Sequence, residues 1–111
     1  MASLSVELGW VYVVKGEPIF GPCVRQETLA ISGSTATLAT AVTAAEAAQE
    51  GGGSDFIVRL ATDTDCYIAI GTTPDPTATA QTSATNARRF LSAGSYLPLS
   101  ITVGQKVAVH T

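Results

Sequence analysis

The chain has 111 residues, a length that suits one domain and leaves no room for two. Hydrophobic residues make up 46% of it, which excludes a disordered polymer. Charged residues make up only 14% and the net charge is −3, which excludes the basic density needed to grip nucleic acid or an anionic membrane surface.

Val6 to Val14 is β-branched and aromatic and closes at Lys15-Gly16, so it is expected as a strand. The preceding segment, Met1 to Leu8, carries only Glu7 as a charge and is expected as an extended arm ordered by contact with another chain. Trp10 and Tyr12 share one face of the first strand, either as core residues or as interface anchors. Leu4, Val6 and Phe20 join them as candidate interface residues. Glu17 to Pro22 holds two prolines and is expected as a turn or an irregular edge. Cys23 to Ile31 alternates over part of its length and stops at Ser32-Gly33-Ser34, the pattern of a half-exposed strand. Thr35 to Val42 is expected as a weaker continuation.

Thr43 to Glu50 consists of good helix formers but is short and lacks large apolar residues. It is expected as an exposed loop holding a helical turn, with Glu46 and Glu50 on a solvated face. Phe56 to Ala61 and Cys66 to Gly71, joined by Thr62-Asp63-Thr64-Asp65, are expected as a β-hairpin. Thr72 to Ala87, rich in Thr, Ala and Pro, is expected as a long surface loop with a task of its own. Three short strands follow, at 88–92, 96–102 and 106–110. Arg88 and Arg89 are adjacent on the first of these, so their side chains point to opposite faces, and one is a candidate contact for an acidic partner. About eight short strands at close spacing predict an all-β, antiparallel sandwich of jelly-roll type.

No set of residues in the sequence assembles a reaction. His110 is the single histidine and lies beside the end of the given sequence. Any Ser–His–Asp or Cys–His arrangement would depend on it. Asp63 and Asp65 resemble a fragment of a calcium loop, but a hard cation wants about six oxygens and the next acidic residue is Asp75. They are expected instead to bond nearby backbone N–H groups. Cys23 and Cys66 lack zinc-ligand spacing, and Gly51-Gly52-Gly53-Ser54 lacks the lysine of a phosphate loop. No catalytic residue, metal or cofactor is assigned. The first residues lack the charged region and apolar run of a signal peptide, and no apolar stretch is long enough to span a membrane. Synthesis in a reducing compartment and free thiols are therefore expected, with a disulfide as the alternative.

Several stretches resemble small structural proteins of tailed bacteriophages. They are Val58 to Gly71, then Pro74 and Thr77-Ala78-Thr79-Ala80, then Phe90 to Gly94, and finally Val103-Gly104-Gln105-Lys106-Val107-Ala108-Val109. Roughly the C-terminal half is similar to the capsid staple proteins of epsilon-fifteen-type short-tailed phages. The resemblance implies a jelly-roll domain outside the shell that ties neighbouring major capsid protein subunits together, as a homodimer near local two-fold axes. The implied location is the outer surface of the virion, after synthesis in the host cytoplasm. The alternatives are a head-fibre base or tail attachment module, a carbohydrate-binding β-sandwich, and a small hydrolase, the last disfavoured by the lone His110.

Overall fold

The computed structural model describes residues 2–47, 55–79 and 88–111; a few side chains within its strands, those of Tyr12 and Phe20 among them, fall outside the description, as do residues 48–54 and 80–87. Among the described residues, eight strands form two antiparallel four-stranded sheets. Strand β1 (Ser3–Val14), β2 (Glu17–Ala30), β4 (Asp55–Thr62) and β7 (Tyr96–Ser100) make the first sheet, in the order β2-β1-β4-β7. Strand β3 (Ala36–Thr37), β5 (Cys66–Gly71), β6 (Arg89–Leu91) and β8 (Lys106–His110) make the second, in the order β3-β8-β5-β6. A short helix, α1 (Ala44–Ala47), lies between β3 and β4.

The core lies between the sheets and is built by alternation. Leu4, Val6 and Leu8 of β1 and Val58 and Leu60 of β4 project inward from the first sheet. Cys66, Ile68 and Ile70 of β5 and Val107 and Val109 of β8 meet them from the second. This placement corrects the expected arm. Residues 3–8 belong to a strand paired on both sides, and Leu4 and Val6 are 0% and 1% exposed. The period-2 series Leu4, Val6, Leu8, Trp10 is a core face, and burying it within the domain needs no second chain.

The first two strands form one long hairpin. Lys15 and Gly16 both have positive φ, 52° and 83°, as a two-residue turn matching the right-handed strand twist requires. Of the two readings of 17–22, the turn is absent and the irregular edge holds, since the segment is part of edge strand β2. Pro18 and Pro22 are accommodated because β2 is an edge strand and its pairing with β1 shifts register on either side of Gly9.

The second correction concerns β4 and β5. They do not pair as a hairpin, because β4 lies in the first sheet and β5 in the second. Thr62 to Asp65 is a corner between layers, held by its own polar groups. Thr62 Oγ1 donates to the Thr64 carbonyl at 2.6 Å and accepts from the Thr64 N–H at 3.2 Å. Asp63 accepts the Ser3 N–H at 2.8 Å, and Asp65 accepts the Ala93 N–H at 2.7 Å. The two aspartates are thus consumed as caps for main-chain donors on other elements. The Ser3 amide holds the Asp63 carboxyl below its ordinary range, helped by the Thr64 hydroxyl.

The segment after β5 lies against the outer face of the second sheet. Ala69 and Ala108 are register partners on that face, yet they are 3% and 0% exposed. Pro76 is fully buried, and Asp75 lies close enough to His110, on the same face of β8, for the two to interact electrostatically. Small residues on the sheet leave room for the loop to settle there.

Candidate protein-interaction surfaces

The seven candidate interface residues fall into three groups. Leu4, Val6 and Trp10 are buried and belong to the core, so none of them is available as an exposed anchor. Trp10 packs edge-on against Phe56 at 5.1 Å between ring centroids. Its indole Nε1 is buried and has no protein hydrogen-bond partner. An open groove of about 550 Å³ runs past it, lined by Phe56, Ile57, Ile101 and Val103 among others. Tyr12 and Phe20 lie on β1 and β2, but their side chains are outside the described residues. Arg88 and Arg89 are exposed and diverge as expected. The Arg88 guanidinium stacks 4.1 Å from the centroid of Tyr67 on the outer face of the second sheet. Arg89 pairs in register with Ile68, an inward-facing residue, and reaches solvent because β6 is an edge.

Two aromatic clusters emerge that the candidate residues did not include, apart from Arg88. On the outer face of the second sheet, Phe90 packs edge-on against Tyr67 at 5.4 Å, with Arg88 over Tyr67. Phe90 remains 54% exposed. On the outer face of the first sheet, Tyr96 is 55% exposed and the Arg59 guanidinium lies 5.7 Å from its ring centroid. Arg59 is anchored from the other side by Glu7, 2.9 Å away on β1. A usable signal was present in the sequence: in Tyr96-Leu97-Pro98-Leu99 the leucines take the core face, so the tyrosine must face out.

A third feature is an ion-pair cluster at the β2 side of the sandwich. Arg25 reaches Glu46 through Nε at 2.8 Å and Nη2 at 3.2 Å, and reaches Glu27 through Nη1 at 2.7 Å. It also donates to the carbonyls of Thr40 and Ala41. Glu46 completes a capping box: its carboxylate accepts the Thr43 N–H at 2.9 Å while Thr43 Oγ1 accepts the Glu46 N–H at 3.1 Å. Burial pushes the Glu46 carboxyl up. The Thr43 amide and the Arg25 guanidinium together outweigh that push and hold it below its ordinary value. The expectation that Glu46 lies on a solvated loop face is therefore corrected, because Arg25 draws it against the sheet. Glu50 lies outside the described residues.

His110 lies with Nε2 2.9 Å from the Gly33 carbonyl oxygen and Nδ1 2.7 Å from that of Thr111. Both cysteines are free; Cys23 is exposed, and burial raises the thiol of Cys66. Among the described residues no group of three or more His, Cys, Asp and Glu side chains is placed to hold a metal ion. No helix of the described residues is long and apolar enough to cross a membrane. Comparison of the chain with protein-family models, curated proteins and solved structures finds no match.

Proposed function

We propose that this chain is a structural protein of a bacteriophage particle that binds the outside of the capsid and staples neighbouring major capsid protein subunits. The observation that carries the reading is the placement of the two aromatic–arginine clusters. Phe90, Tyr67 and Arg88 lie on the outer face of one sheet, and Tyr96 and Arg59 on the outer face of the other. Exposed aromatic and arginine side chains are the residue types that dominate protein interfaces. Two such surfaces on opposite sides of one thin sandwich let a single domain touch two neighbours, which is what a staple requires. The C-terminal resemblance to phage staple proteins points the same way.

The jelly-roll form belongs to this proposal. The order β2-β1-β4-β7 facing β3-β8-β5-β6 becomes a jelly-roll order if β1 stands where the last strand would. Among the alternatives, a carbohydrate-binding surface is less well supported, because Arg88 already occupies the face of Tyr67 that a sugar ring would stack on. A head-fibre base or tail module shares the same binding chemistry and differs in its place on the particle.

The test uses shells stripped of the protein. Adding purified chain back is expected to raise their resistance to heat, because a ligand that binds the assembled state stabilises it. Phe90→Ala and Tyr96→Ala are each expected to weaken attachment about 30-fold, the effect of losing an anchor worth about 2 kcal/mol. Equal robustness of stripped and decorated shells, or equally tight binding to free subunits, overturns the reading.

A further inference from the structure

We propose that the groove between Trp10 and the turn at 102–105 is a docking site for an extended, apolar, uncharged peptide segment of a partner protein, one carbonyl of which accepts the Trp10 Nε1–H. The groove forms where the first sheet runs out. Strand β7 ends at Ser100, the register partner of Ile57, and the chain then leaves the sheet through the buried Ile101. Trp10 and Phe56 are register partners one step further along β1 and β4. Their side chains belong to the inner face, and those of Ile57 and Ser100 to the outer face. All of these line the groove together with Thr102 and Val103, so it passes over the rim of the sheet from one face to the other. An occupant of that path is long and thin.

The far wall is fixed by the domain's own main chain. The Gln105 N–H donates to the Thr102 carbonyl at 3.1 Å, and the Gln105 side-chain oxygen accepts the Thr102 N–H at 2.9 Å. The Gly104 N–H donates to the Val42 carbonyl at 2.8 Å, and the Val42 N–H to the Gln105 carbonyl at 3.0 Å. These bonds hold the turn and leave the Val103 side chain 52% exposed at the lip of the groove.

The chemistry of the lining selects the occupant. No charged side chain lines the groove and most of its lining is apolar, so the occupant is uncharged and mostly apolar. The indole makes the choice more specific. Trp10 is 6% exposed, and its buried Nε1–H has no protein hydrogen-bond partner. A buried donor left unmade is destabilising, and a neutral acceptor entering the groove relieves it. The hydroxyls of Ser100 and Thr102 make no hydrogen bond among the described residues, and each is able to donate and to accept. Uncharged acceptors and donors that alternate along a thin, apolar chain are what an extended peptide supplies. Rotamer changes at a docking rim are common, and the exposed Val103 side chain turns aside to admit the carbonyl.

The inference stands apart from the place of the chain on a particle. Its test uses the purified full chain, with the capped tripeptide acetyl-Val-Leu-Val-amide as the probe. Trp10 is the single tryptophan, so its fluorescence reports on the groove. Saturable binding with a Kd below about 1 mM is expected. The indole N–H proton resonance of Trp10 is expected to move downfield as it gains an acceptor. Trp10→Phe keeps a ring against Phe56 and removes the donor. Calorimetry is expected to show binding about fivefold weaker, the effect of one hydrogen bond. Val103→Asp alters an exposed residue, so it is expected to keep the fold while setting a carboxylate at the lip, and to weaken binding about tenfold or more. It keeps the test decisive should Trp10→Phe misfold. Absence of saturable binding overturns the inference, as does binding that leaves the indole resonance in place or that either folded variant retains at full strength. Equally tight binding of acetyl-Asp-Leu-Asp-amide overturns the uncharged occupant. A wild-type mass that rises above 11.4 kDa with concentration, and that Val103→Asp returns to that value, assigns the groove to a second copy and equally overturns the proposal.

Discussion

Leu4 separates two physical pictures of the first residues. If residues 3–8 are an arm that another chain orders, truncating Leu4 leaves the domain's stability alone and weakens attachment. In the structure Leu4 is fully buried and pairs with Leu29 on one side and Thr62 on the other. Leu→Ala at such sites costs about 2–5 kcal/mol, the transfer of the lost carbons plus the cavity they leave. A strand held on both sides relaxes little into that cavity, so a loss of about 3 kcal/mol is expected. Domains have roughly 5–15 kcal/mol in total, and at this size each kcal/mol moves the midpoint by about 4 °C, giving a drop of about 12 °C in Tm. Urea unfolding followed by Trp10 fluorescence measures the change, with an unaltered slope showing that the unfolded reference is the same. Ser5→Ala, on the opposite face of the same strand, serves as the control and is expected to change stability by less than about 0.5 kcal/mol. A Leu4→Ala chain as stable as the wild type would refute the assignment of β1 to the domain's own core.

Two further outcomes follow from the titratable groups. The Glu46 carboxyl has a folded pKa below its ordinary 4.5. Its contribution is therefore fully present above about that pH and is lost as pH falls through the lower folded value. Glu46→Gln is expected to cost about 1 kcal/mol at pH 7, a modest figure because the pair is partly solvated, and to cost little at pH 3; a difference independent of pH would count against the Arg25 clamp. For the thiols, Cys23 is expected to react at once with a thiol reagent and Cys66 only on unfolding, since one is exposed and the other buried with a raised pKa. Loss of both thiols with a mass lower by about two hydrogens would show a disulfide instead.

The all-β class, the position of most strands and the divergence of Arg88 and Arg89 follow from local pattern, because alternation and turn residues act over a few positions. The Tyr96 face was equally legible in the alternation of Tyr96-Leu97-Pro98-Leu99. Which strands meet was not. Thr62 to Asp65 has the composition of a hairpin turn, yet it turns a corner between sheets, because Asp63 finds its donor on Ser3 and Asp65 on Ala93. Those partners are remote in sequence, and no window around the turn contains them. Arg25 and Glu46 are separated in the same way, by a segment whose path only the packing of the second sheet fixes. The prolines of β2 marked an edge correctly but did not end the strand, since an edge needs only one side of its main chain. The sequence by itself determined which stretches extend as strands and which could turn, but not that Leu4 and Val6 belong to the domain's own core. The tertiary structure decided which edges stay open and which charges meet, because both depend on strand order, and strand order is set by contacts between residues far apart along the chain.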